Sequence, residues 1–193
     1  MKYALPFVAA LSLAACQPAG EAADAPASET PPAAETASDP AEQPAAEIAV
    51  ALDGEGLRLV DPASGSTRLV PFGGLQAETI AALSGPLGAP TETGTNPECP
   101  PGSLDYAQFG GDTTLYFQDG AFAGWFTRDA SQSTLNGISP GSTRAELDGS
   151  GSEIELTETS LGQEFDAGGV YGIMNEDASA VDLLWAGANC FAR

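Results

Sequence analysis

Glycine or proline interrupts residues 48–193 roughly every eight to twelve positions, and this spacing limits what the segment can form. It leaves no room for a long helix. The intervals are rich in Val, Leu, Ile, Thr, Tyr, Phe and Trp, the residues that favour a pleated, half-buried backbone. The segment therefore reads as short strands joined by tight turns, and its length suits one domain.

The turns set the expected order. Residues 48–52 and 57–60 form a hairpin around Asp53-Gly54-Glu55-Gly56, since Asp-Gly is a favoured turn pair. A turn at Asp61-Pro62-Ala63-Ser64-Gly65 leads to a third strand over 66–72, which Gly73-Gly74 ends. Leu75, Ile80 and Leu83 predict a short helix over 75–83, stopped by Gly85-Pro86. Residues 88–102 hold four prolines and read as a long loop. Strands follow over 104–109, 113–118 and 121–127, the last two joined at Asp119-Gly120, with Leu115, Phe117, Phe122 and Trp125 as core.

A second cycle is expected after residue 137. Thr143 and Glu146 stand at capping-box spacing and open a short helix that Gly149 ends. Strands are predicted over 153–159, 170–174 and 181–185. Alternation of Ile154 and Leu156 with Glu153, Glu155 and Thr157 gives the first of them one wet face. The expected class is α+β, mostly antiparallel strands with two short helices. Each cycle has a Leu-Gly pair (Leu87-Gly88, Leu161-Gly162), a Trp near a Gly (Trp125, Trp185) and one cysteine, which suggests two degenerate helix-plus-hairpin repeats. The stretch Gly141-x-Thr143-x-x-Glu146-Leu147 resembles the helix start of small periplasmic domains of the BamE-like and beta-lactamase-inhibitor-protein-like type. That resemblance implies a helix or helix pair packed on an antiparallel sheet.

The N-terminal part has a different character. Lys2 is followed by uncharged, mostly apolar residues up to position 15. At about 1.5 Å per residue they reach about 20 Å, short of a bilayer core of about 30 Å, so a processed leader fits better than a spanning helix. Leu13-Ala14-Ala15-Cys16 resembles the lipobox of bacterial lipoproteins. The resemblance implies removal of residues 1–15 as a signal peptide and acyl chains on Cys16, through which the protein holds the lipid bilayer. At about 0.8 kcal/mol per buried methylene, two or three chains anchor firmly. Gln17 stands where enteric bacteria use Asp to retain a lipoprotein in the inner membrane, which points to the outer membrane facing the periplasm.

Residues 16–47 are expected to form a disordered tether. They are mostly Ala, Pro and Glu, with seven acids, no basic residue and no aromatic. Such a segment cannot bury enough apolar area to offset the entropy of ordering it.

Export bears on the two remaining cysteines. In an oxidising compartment Cys99 and Cys190 are expected to pair. Closing about 90 residues in this way stabilises the fold by roughly 4 kcal/mol in the chain-entropy model.

Charge and missing residue types exclude several functions. The sequence holds 27 acids and six basic residues, and no histidine. Removal of Lys2 with the leader leaves a net charge of about −22. Nucleic acid is excluded by repulsion, while a basic partner would be steered inward. Without histidine there is no Ser-His-Asp or Cys-His machinery and no His-ligated zinc. With Lys2 removed there is no Schiff-base lysine, and no phosphate-binding glycine motif is present, so no cofactor is expected. Carboxylate pairs remain open as a hydrolytic device, but no pair stands out by its neighbours. Asp53/Glu55 and Glu176/Asp177 read as turn residues rather than calcium ligands. The expectation is an envelope lipoprotein that binds another envelope protein or supports assembly, not an enzyme. The alternative is an acidic, tethered inhibitor of a basic hydrolase such as lysozyme.

Overall fold

The computed structural model describes residues 47–110 and 112–191. The expected signal peptide, Cys16 and the tether up to residue 46 lie outside the described residues. Among the described residues no helix is long and apolar enough to cross a membrane.

The chain opens with β1 (Ala49–Asp53), β2 (Gly56–Val60) and β3 (Thr67–Pro71), an antiparallel meander with the expected turns. Helix α1 (Gln76–Leu87) leads into β4 (Glu92–Asn96), β5 (Leu104–Phe109), β6 (Thr113–Gln118) and β7 (Ala121–Thr127). The short strand β8 (Ser133–Thr134) returns to pair in parallel with β1. Helix α2 (Arg144–Gly149) then leads into β9 (Glu155–Thr159), β10 (Gly162–Asp166), β11 (Tyr171–Met174) and β12 (Val181–Gly187). The strands form a four-stranded sheet ordered β3-β2-β1-β8 and an eight-stranded sheet ordered β4-β5-β6-β7-β12-β11-β10-β9. The α+β class holds, with every pairing antiparallel except β1 with β8.

The main core lies between the sheets. Leu52, Leu57, Leu59 and Val70 of the small sheet pack with Phe109, Leu115, Phe117, Phe122, Trp125, Phe165 and Leu184 of the large one. Leu83 of α1 and Leu147 of α2 belong to the same core. The four expected core residues of β6 and β7 are all 0–1% exposed. The Trp125 indole N–H donates to the Asp53 carbonyl at 3.0 Å, fixing the β1–β2 hairpin against the large sheet. At the β6–β7 turn, Asp119 and Gly120 have φ of 53° and 78°, the positive angles a two-residue hairpin of this type requires.

The internal repeat is present in the topology: a helix and a four-strand meander occur twice, and the two last strands, β7 and β12, pair at the centre. Hydrogen bonds give its phase. Gly73 N–H donates to the Phe122 carbonyl and Phe122 N–H to the Gly74 carbonyl, both at 2.7 Å. Gly141 N–H donates to the Val181 carbonyl and Val181 N–H to the Ser142 carbonyl, both at 2.8 Å. Gly73 and Gly141 have matching φ of 86° and 90°. Gly73, Glu78 and Phe122 thus correspond to Gly141, Glu146 and Val181. On this phase Trp125 corresponds to Leu184 and Phe126 to Trp185. The two tryptophans are one position out of step and point to opposite faces. Leu161-Gly162 sits in the β9–β10 turn, not after a helix, so it does not match Leu87-Gly88 either.

Several boundaries differ from expectation. Helix α1 continues through Gly85 and Pro86 to Leu87. Proline falls in the last turn, so its missing N–H removes a single i→i−4 bond and no further turn follows to be broken. The expected loop over 88–102 contains β4, whose five residues offer no apolar alternation because it is an edge strand paired only with β5. Strand β10, not expected, carries Gly162, Gln163 and Glu164 and takes its order from β9 and β11. Strand β9 has all five residues exposed. Its Leu156 is not a core residue, and both faces are wet. The capping box of α2 forms as expected, Thr143 accepting from the Glu146 N–H and Glu146 from the Thr143 N–H.

Candidate functional site: the aromatic face of the large sheet

Alternation along a strand gives the large sheet a second face, turned away from the main core. In β6, Thr113, Leu115 and Phe117 are buried, while Thr114, Tyr116 and Gln118 are half-buried on the other side. Ladder register carries one line of residues across this second face. Glu92 stands opposite Gln108, then come Thr114, Phe126, Trp185, Tyr171, Asp166 and Glu155, one from each strand. A neighbouring line runs Gly94, Tyr106, Tyr116, Gly124 and Gly187.

Four tyrosines occur in the sequence, and apart from Tyr3 all of them, Tyr106, Tyr116 and Tyr171, lie on these two lines. A second apolar cluster joins them. Ile173, Leu183 and Trp185 are buried, with Phe126, Tyr171 and Phe191 packed around them and half-exposed. Tyr171 stacks on Trp185 with ring centroids 5.7 Å apart, and Phe191 meets Trp185 edge-on at 4.9 Å. Phe191 also lies 5.8 Å from Phe126.

Two glycines let neighbouring groups lie flat on the sheet. A Cβ at Gly94 would stand 2.8 Å from the Tyr106 hydroxyl, because that ring lies across it. A Cβ at Gly124 would overlap the Ala188 carbonyl oxygen, because the chain leaving β12 crosses there. That chain carries Cys190 and Phe191 over the face.

Cys99 and Cys190 are joined by a disulfide, with Cα atoms 4.7 Å apart, as expected. The bond ties the Pro100-Pro101 turn to the terminal segment and so holds Phe191 against Trp185. Between these parts, Pro100, Pro101, Tyr171, Asn189 and Phe191 border an open cleft of about 540 Å³.

The hydroxyls of the face are tuned by their neighbours. Tyr106 donates to the Glu92 carboxylate at 2.6 Å, and that bond raises its pKa above the ordinary value. Burial pushes the Tyr116 hydroxyl up against a backbone hydrogen bond with Cys190. Arg128 lies at the border, its guanidinium 5.5 Å from the Phe126 centroid and 3.4 Å from Asp182.

The acids considered for calcium serve turns. Asp53 accepts from the Glu55 N–H and pairs with Arg58, and Asp177 accepts from the Ser179 hydroxyl. Among the described residues no group of three or more His, Cys, Asp or Glu is placed to hold a metal. The aromatic face was not singled out in the sequence. Its signal was present as Tyr116 and Phe126, which stand out of phase with the core residues Leu115, Phe117 and Trp125. Half-exposed tyrosines and phenylalanines gathered over a buried tryptophan are the composition of protein-binding surfaces. No family model, no curated protein and no solved structure matches the chain.

Proposed function

We propose that this chain is a lipid-anchored binding module of the bacterial envelope, which holds another envelope protein on the aromatic face of its large sheet. The carrying observation is the concentration of Tyr106, Tyr116, Phe126, Tyr171 and Phe191, all half-exposed, on a single face. A soluble domain gains nothing by leaving so many rings partly wet on one side, whereas a binding surface gains large area at low entropy cost. The disulfide supports the reading, because it holds Phe191 in place before a partner arrives, and preorganisation lowers the cost of binding.

The anchor is part of the proposal. The lipobox-like Leu13-Ala14-Ala15-Cys16 supports acylation at Cys16, and Gln17 supports the periplasmic side of the outer membrane. The alternating Pro and Glu of residues 17–47 support a spacer between lipid and domain. The role is binding or assembly support, not catalysis.

Photo-crosslinking in intact cells tests the surface. A photoreactive phenylalanine at Tyr171 or Tyr106 is expected to give one discrete adduct. The same probe at Arg68, exposed on the small sheet, is expected to give none. Equal adducts from both sheets would overturn the assignment.

A further inference from the structure

Resting on that reading, we infer that the partner is a protein with a basic docking surface, in which an apolar centre is flanked on both sides by lysine or arginine. The argument is the order of residues along the line that crosses the sheet. Its middle is Phe126, Trp185 and Tyr171, and its ends are acidic: Glu92 at one side, Asp166 and Glu155 at the other. Six strand spacings separate Glu92 from Asp166, about 29 Å.

These end carboxylates are not committed to cations. The ion pairs among the described residues join Arg58 to Asp53, Arg128 to Asp182 and Arg144 to Asp148, and none involves Glu92, Asp166 or Glu155. Glu92 accepts the Tyr106 hydroxyl and Asp166 the Gly169 N–H, both uncharged donors. Arg58 and Arg68 belong to the small sheet and Arg144 to α2, so Arg128 is the one described arginine bordering this face. Asp182 offsets its charge.

This distribution selects among occupants. A second copy of the chain would set a strongly acidic surface against itself, and like charges across an interface cost several kcal/mol. Anionic headgroups are repelled for the same reason. A basic protein gains at both levels: the large excess of acids steers it inward, and the acidic ends fix its register over the rings.

The test uses the complete mature chain, made soluble by Cys16→Ser, labelled with nitrogen-15 and kept oxidised. Two synthetic peptides of about ten residues, long enough to span 29 Å when extended, share a Leu- and Tyr-rich centre. One ends in lysines and the other in glutamines. The lysine-ended peptide is expected to shift the amide signals of Tyr106, Gly124, Phe126 and Tyr171, and to bind at least about threefold more weakly to Glu92→Gln/Asp166→Asn. If both peptides shift these signals with equal affinity, the inference of a basic partner falls while the face stands as a binding surface. If the lysine-ended peptide leaves the face unshifted, or shifts the Glu176-Asp177 turn instead, the face itself is the wrong site.

Discussion

Removing the Cys99–Cys190 bond tests how the aromatic face is held. In Cys99→Ser/Cys190→Ser two things change together. The denatured chain regains the entropy lost by closing 91 residues, roughly 4 to 5 kcal/mol in the chain-entropy model. For a domain of this size that lowers Tm by roughly 12–20 °C. In the folded state Phe191 loses its tie, and Trp185, only 1% exposed beneath it, becomes wetter. Calorimetry reads the first effect. Tryptophan emission well below Tm reads the second and is expected to move to longer wavelength. Phe191→Ala, with the disulfide intact, is the control: it should reproduce the emission shift with a smaller fall in Tm. Trp125 lies in the other core layer and supplies a constant background. A Tm change below about 4 °C would show that the bond contributes little beyond about 1 kcal/mol. An unmoved emission maximum in both variants would show that Phe191 does not cover Trp185 in solution, and the account of a preorganised face would fail.

Gly124→Ala would drive a methyl into the Ala188 carbonyl, so it should destabilise the domain by about 1–3 kcal/mol in urea unfolding, against little change for Gly149→Ala, which meets no atom. Metabolic labelling with a radioactive fatty acid should mark the wild type and not Cys16→Ala; label retained on the variant refutes acylation there. Hydrogen bonds from Thr143 hold Glu146 below its ordinary 4.5, and those from Ser64 and Ala63 hold Asp61 below 3.8. Because the folded values are lowered, both groups stabilise the fold fully above those ordinary values and lose that contribution as pH falls through the lowered ones; Glu146→Gln should therefore flatten the drop in Tm between pH 5 and pH 2. The raised Tyr106 hydroxyl runs the other way, its contribution being complete below pH 10 and lost above it, so Tyr106→Phe should remove one high-pH step from the ultraviolet titration.

What the sequence made legible depended on which groups carry order. Asp53-Gly54, Asp119-Gly120 and the Thr143/Glu146 box act locally, and the elements they bound formed as read. Strands β6 and β7 were legible because Leu115, Phe117, Phe122 and Trp125 bury against a second layer. Strands β4 and β10 were not. Their order comes from ladder bonds to the adjoining strands, β5 for β4 and β9 and β11 for β10, and Glu92, Thr93, Gly94 or Gly162, Gln163, Glu164 show no apolar alternation. Pro86 misled in the opposite sense, since a proline in a final helical turn breaks little. The disulfide followed from counting cysteines under an oxidising assumption. The aromatic face did not follow, because no local pattern says which side of a strand will be covered.

The repeat explains why the face is aromatic at its centre. Two meanders meet along β7 and β12, so each strand supplies its corresponding residue to the seam. At the position of Phe126 and Trp185 the two corresponding residues stand directly opposite one another. Both point away from the main core, where Trp125 and Leu184 take the corresponding inner positions, each 0% exposed. A duplicated unit therefore turns one outward ring per copy into a cross-strand aromatic pair. Tyr171, and Phe191 from the terminal segment, then enlarge that pair into a cluster. The acids stay at the far ends because those strands, β4 and β9, are edges, and edges carry charge to prevent unwanted pairing. The same arrangement that blocks edge-to-edge association thus leaves an apolar centre between acidic borders, and that is the surface a basic protein partner would recognise.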